Sequence, residues 1–164
     1  MGIECTTPKK VVDEFMNALP SIIDGEITRA LSYLGEQCVK KVRDRAGTDS
    51  WFDQTGNLRS SIGYAVYGEG RKIIESAFSI VKQGSQGAEE GKRMIDELAS
   101  RYAETYAMVV VAGMGYADAV EARENKDVLA STELWAKQEV NKYLNQAVER
   151  ARSNILKLQQ KFGL

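Results

Sequence analysis

The apolar positions Val140, Leu144, Val148, Ala151, Ile155, Leu158 and Phe162 follow one another at steps of 4, 4, 3, 4, 3 and 4. Such steps place every side chain of the set on one face of a helix, so the stripe predicts a helix over 130–162 with Ser131 as its N-cap. At 1.5 Å per residue that helix is about 45 Å long. A domain built from 164 residues has little surface with which to cover an apolar stripe of that length. The expectation is therefore that part of it packs antiparallel on the N-terminal helix, or on another chain. The N-terminal partner is legible over 8–46. Val11, Val12, Phe15, Met16 and Leu19 precede Pro20, where a break is expected. Ile27, Leu31, Leu34, Cys38 and Val42 follow as a second run with helical spacing.

Between the two helices the period changes to two. Ile62, Tyr64 and Val66 alternate with Ala65 and Tyr67. Gly68-Glu69-Gly70 reads as a turn, and Ile74, Phe78 and Ile80 alternate again, which predicts a hairpin starting at Leu58. Residues 82–91 (KQGSQGAEEG) read as a Gly-rich loop, and 92–105 as a short helix with Met94, Ile95, Leu98 and Tyr102 on one side. Tyr106–Ala112 is apolar enough for a central strand covered on both faces. The fold class expected is α+β: a small antiparallel sheet of three to four strands over 57–113, with 82–105 inserted in it, packed against long N-terminal and C-terminal helices in a single domain.

Chemistry is narrowed by the absence of histidine. No Ser-His or Cys-His pair, imidazole base or His-ligated metal can be built. Two cysteines, Cys5 and Cys38, do not suffice for a zinc site, and on its helical face Cys38 reads as a small apolar residue. Gly87 to Gly91-Lys92 is one residue too short for a phosphate loop, and Arg93 stands where Ser or Thr is needed. Gly68-Glu69-Gly70 and Gly113-Met114-Gly115 lack the third glycine of a dinucleotide fingerprint. The carboxylate pairs Glu89/Glu90, Asp96/Glu97 and Glu121/Glu124 lie in polar segments and read as solvated faces. No catalytic residue, cofactor site or metal site is expected, and the protein is expected not to be an enzyme.

The net charge of −1 gives no bulk field toward nucleic acid or anionic lipid. Locally it is uneven: residues 89–129 carry −4 and residues 130–164 carry +3. Opposite patches of this kind are matched within one subunit or between neighbours. No apolar run approaches the roughly 18 residues of a membrane span, and the first ten residues have no signal-peptide core. The expectation is a protein of the cytoplasm, without membrane or sequence-specific nucleic-acid partners.

One stretch is specific: Asp53-Gln54-Thr55-Gly56-Asn57-Leu58-Arg59-Ser60-Ser61-Ile62. The Thr55 hydroxyl is suited to cap, Gly56 to take a positive φ, and Leu58 and Ile62 to anchor one face. Arg59 is then placed to hold a carboxylate or a carbonyl. Trp51 and Phe52 just before it either plug the loop onto the core or meet a partner. The stretch resembles the signature Asp-x-Thr-Gly-x-Leu-Arg-x-Ser-Ile of the gene-ten-like head–tail joining and tail-completion proteins of long-tailed phages. As in that family, it follows a long helix and opens the sheet. A second likeness is the strand Val109-Val110-Val111-Ala112-Gly113 followed by Tyr116-Ala117 and Val120-Glu121, then a closing helix, so the resemblance spans about residues 25–150. Ala122-Arg123-Glu124-Asn125 departs from the family's Phe-Gly-Thr step and leaves the place within the tail assembly open.

The resemblance implies a phage or prophage virion structural protein of the neck or tail, made in the host cytoplasm. Its implied partners are copies of itself in a ring-like homo-oligomer and other neck and tail proteins. The contact residues expected are Trp51, Phe52, Thr55, Gly56, Leu58, Arg59, Tyr116, Glu121, Arg150 and Arg152. The alternative is a nucleic-acid-binding or regulatory interaction module; a histidine-free enzyme ranks behind it.

Overall fold

A computed structural model describes residues 6–45, 54–102, 104–118 and 127–164. In these, helix α1 (Lys9–Asp44) is followed by a single helical turn, α2 (Asn57–Ser60), and strands β1 (Ile62–Gly68) and β2 (Arg71–Glu75). Helix α3 (Ser85–Leu98) runs into a 3-10 turn (Ala99–Tyr102). Strand β3 (Ala107–Ala112) and helix α4 (Ala130–Phe162) complete the order. Long helices with a small antiparallel sheet make the α+β class expected from the residue pattern.

The residues gather into two compact units, one of Leu31–Asn141 and one joining the chain up to Ala30 with Lys142–Leu164; α1 and α4 contribute to both. In the larger unit the sheet order is β2-β1-β3, with both neighbours antiparallel to β1. Every residue of β1 is buried. Its alternation explains how. Tyr64 lies against Gly35 of α1, where any Cβ would overlap the ring. Ala65 and Tyr67 point the other way, into a cluster with Ile95 and Val111 that Leu98, Tyr102 and Val109 flank. The α1 side of the core is the anticipated set Leu31, Leu34, Cys38 and Val42, all buried.

Five expectations are corrected. The central strand is β1, whereas Tyr106–Ala112 becomes β3, paired with β1 on one side and only half-buried over its first four residues. The hairpin does not start at Leu58, because Asn57–Ser60 coil into a helical turn first. Its turn is the two-residue Glu69-Gly70, both at positive φ (51° and 75°), which is the twist a tight hairpin needs. The second strand ends at Glu75, so Phe78 and Ile80 are not strand residues.

The Gly-rich stretch 82–91 is not a loop beyond Gly84, since α3 begins at Ser85. Gly87 and Gly91 each cost a helix about 1 kcal/mol relative to Ala. Burying Ile95 completely and Leu98 in part returns about 3–5 kcal/mol, which decides for the helix. Finally, α1 runs through Pro20 without a break. A proline inside a helix costs about 3 kcal/mol through its missing N–H and a clash with the preceding turn. Pro20 and Met16, the two residues whose helical hydrogen bond is lost, are both exposed. A break would also move Phe15 and Glu26 out of register with α4. In this smaller unit Phe15 meets Phe162 edge-on, with ring centroids 6.4 Å apart. The buried Glu26 carboxylate accepts from Arg150 Nε at 2.7 Å, Asn154 Nδ2 at 3.2 Å and Arg29 Nη1 at 3.2 Å.

Candidate functional site

The segment Thr55–Ile62 is the junction at which α1, β1, α3 and the end of β3 meet. Gly56 has φ 84°, and a Cβ there would run into the Val81 carbonyl, so both backbone and space require glycine. The Thr55 hydroxyl accepts the Asn57 N–H at 3.3 Å, the capping role expected from its place before glycine. The Thr55 carbonyl accepts the Gln83 N–H at 3.2 Å. Leu58 and Ile62 are both buried, as their spacing requires.

Two of the polar side chains that follow, Asn57 and Ser60, bond backbone groups far along the chain. Asn57 Oδ1 accepts the Gly87 N–H at 3.2 Å, satisfying one of the open donors in the first turn of α3. Ser60 Oγ accepts the Val81 N–H at 2.9 Å. Ser61 Oγ donates to the Leu58 carbonyl at 2.8 Å, and the Ser61 carbonyl accepts the Gly113 N–H at 3.2 Å. One residue further on, Arg43 Nη2 donates to the Ile62 carbonyl at 2.9 Å, tying α1 to the start of β1. Ser60 and Ser61 are buried and committed to backbone groups, so their hydroxyls are structural.

Close approach is what the glycines supply. Side chains at Gly84, Gly87 or Gly91 would collide with Ser60 and Gly56, with the Asn57 carbonyl, or with the Ser61 carbonyl and Phe78. A Cβ on Gly113 would collide with Gly91. The close-packing role of these glycines, and the bonds made by Asn57 and Arg43, are parts of the junction that the sequence pattern did not reveal. The signal was present in the 84, 87, 91 spacing, which is that of one helix face.

At the junction the Arg43 and Arg59 guanidiniums lie close enough to affect one another. Burial lowers the Arg43 guanidinium below its ordinary value, the neighbouring Arg59 charge adds to this, and Glu36 partly offsets both. Burial, reinforced by Glu36, pushes the Tyr64 hydroxyl up to about 12. Burial likewise pushes the Cys38 thiol up to about 11, with Lys41 opposing, so this thiol is a core residue without nucleophilic character. Arg45 binds across to the start of α4: Nη2 donates to the Val128 carbonyl at 3.1 Å and Thr132 Oγ1 at 2.8 Å, and Nη1 to Asp127 and Ser131. The N-cap anticipated at Ser131 is provided by Asp127, whose Oδ1 accepts the Ser131 N–H at 3.0 Å. Among the described residues no group of three or more Cys, Asp or Glu side chains is arranged to hold a metal ion, and no helix is long and apolar enough to cross a membrane.

Of the expected contact residues, Thr55, Gly56, Leu58 and Arg59 are together at this junction. Tyr116 lies in the same unit and is 41% exposed. Arg150 and Arg152 belong to the smaller unit, where Arg150 turns inward onto Glu26 and Arg152 is exposed. Trp51, Phe52 and Glu121 lie outside the described residues. Compared with known proteins, the chain matches no family model, no curated protein sequence and no solved structure.

Proposed function

We propose that this chain is a non-enzymatic structural subunit of a long-tailed phage or prophage particle, acting at the neck or tail in head–tail connection or tail completion and assembling as a ring. The observation that carries the reading is the junction itself. In the stretch resembling the phage signature, the Asn57 and Ser60 side chains and the Ser61 and Ile62 carbonyls bond α3, the segment before it, Gly113 and α1, which is the economy of a scaffold. No buried hydroxyl there is paired with a base, which an activated nucleophile requires.

The test is genetic and compositional. Particles induced from the encoding strain are purified and analysed by mass spectrometry, and the gene is deleted in parallel. The expected result is the chain in intact particles, with unjoined heads and tails or incomplete tails in the deletion strain. Infectious particles that lack the chain overturn the reading. The net charge of +4 over 142–164 is the one feature favouring a nucleic-acid-binding role instead. That role requires DNA affinity falling steeply with salt for the isolated chain.

A further inference from the structure

Helix α1 changes character at Glu26. From there to Val42 every turn has a buried residue, among them Ala30, Leu34 and Cys38. Among the described residues before Glu26, none is buried. The half-buried side chains of that first stretch include Val11, Leu19 and Phe15, whose ring meets Phe162 edge-on. The end of α4 beyond Ala151 is likewise without a buried residue. A stretch with so little buried surface belongs to the low end of local stability.

Three features that loosen a helix fall between the two stretches of α1. Pro20 offers no N–H to the Met16 carbonyl, and its ring crowds the preceding turn. Ser21 Oγ donates to the Ala18 carbonyl at 3.0 Å, a back-bond of the kind that bends helices. Gly25 is exposed, and a Cβ there meets nothing within 4 Å. No close approach calls for glycine at this position, in contrast to Gly35, where a Cβ overlaps the Tyr64 ring. What Gly25 changes is the backbone, which it leaves free to unwind. The Glu26 carboxylate, bound to Arg150, Asn154 and Arg29, follows immediately.

We propose that residues 9–19 form a hinged arm. The helix opens over Pro20–Gly25, the arm leaves α4, and the Glu26 bonds keep the rest of the helix pair closed behind it. A free helix shorter than about 12 residues is marginal in water, so the released arm unwinds. Release uncovers the Phe15 and Phe162 rings, which the docked arm holds against each other. The inference goes beyond the proposed function and does not depend on it.

Residue-resolved hydrogen exchange on the full chain tests it. In the native chain the amides of residues 13–19 are expected to exchange at least about tenfold faster than those of 28–42, with a step between 20 and 25. Fraying from the helix end gives a gradient instead. Pro20→Ala/Gly25→Ala is expected to slow exchange over 13–19 by at least about tenfold and to leave 31–112 unchanged. Both substitutions favour helix, so the variant keeps its fold. Phe15→Ala, which removes the ring contact with Phe162, is expected to speed exchange over 13–19 about fivefold and not beyond Glu26. Uniform or graded exchange along α1 of the native chain overturns the proposal. So does a double variant that leaves 13–19 unchanged, or one that slows the whole of α1 alike.

Discussion

At the scale of single residues, the junction depends on groups with no substitute. Gly56 is constrained by its φ of 84° and by the Val81 carbonyl at the same time. Gly56→Ala is expected to cost about 2–4 kcal/mol, lowering the melting temperature by roughly 5–15 °C. Calorimetry checks this, and an unchanged midpoint contradicts the geometry. Asp127 makes a different kind of contribution. Burial opposes its charge, but the Ser131 hydroxyl and N–H together with Arg45 outweigh that and hold its carboxyl below the ordinary 3.8. Between that value and the lower folded one the unfolded chain binds more protons, so stability falls as pH drops through this window. The contribution is fully present above about pH 4. Urea midpoints taken from pH 5 to pH 2.5 are expected to fall less steeply for Asp127→Asn than for the native chain; parallel slopes exclude this role. The Thr55, Gly56, Leu58 and Ile62 roles were legible from the residues alone, because each is set by neighbours within a few positions. The Asn57 bond to Gly87, 30 positions away, was not.

At the scale of elements, the outcome at α3 shows a local preference losing to packing. Gly-rich polar sequence favours a loop when taken alone, and the glycines do weaken the helix. Here they allow α3 to press against the backbone of Asn57 and Ser61, so that Ile95 and Leu98 reach the core. The end of α3 is adapted in turn. The Ala99 N–H turns to the Asp96 carbonyl, and the Ile95 carbonyl receives the Tyr67 hydroxyl at 2.6 Å. Asn57→Ala removes the partner of a first-turn N–H and is expected to cost about 1 kcal/mol. Hydrogen exchange is expected to localise the loss to the first turn of α3. A uniform loss over the larger unit points instead to general loosening of the junction. Strand order was hidden for a related reason. Tyr106–Ala112 is the more continuously apolar strand, yet β1 became central because α1 covers its Tyr64 side and α3 its Tyr67 side.

At the scale of the whole molecule, the two compact units have different bonding. The larger one has a sheet with helices on both faces. The smaller one is a helix pair whose buried Glu26, in place of another apolar side chain, makes three hydrogen bonds that define one register. Glu26→Gln keeps the shape and removes the charge. It is expected to cost about 1–3 kcal/mol, because Arg150 is 39% exposed and finds water. The loss is expected as faster amide exchange in residues 9–30 and 142–162, with 31–112 unchanged. Equal acceleration in both units shows that they unfold as one. The long α4, the α1 face and the α+β class were determined by the sequence itself, since helical and strand periods express local geometry and need no partner to be read. The passage of α1 through Pro20, the start of α3 within a glycine stretch, the centrality of β1 and the Glu26 clamp were decided only by the tertiary structure. At Pro20 and in the glycine stretch, a cost of one to three kcal/mol visible in the local sequence is offset by burial or hydrogen bonds to residues far away along the chain.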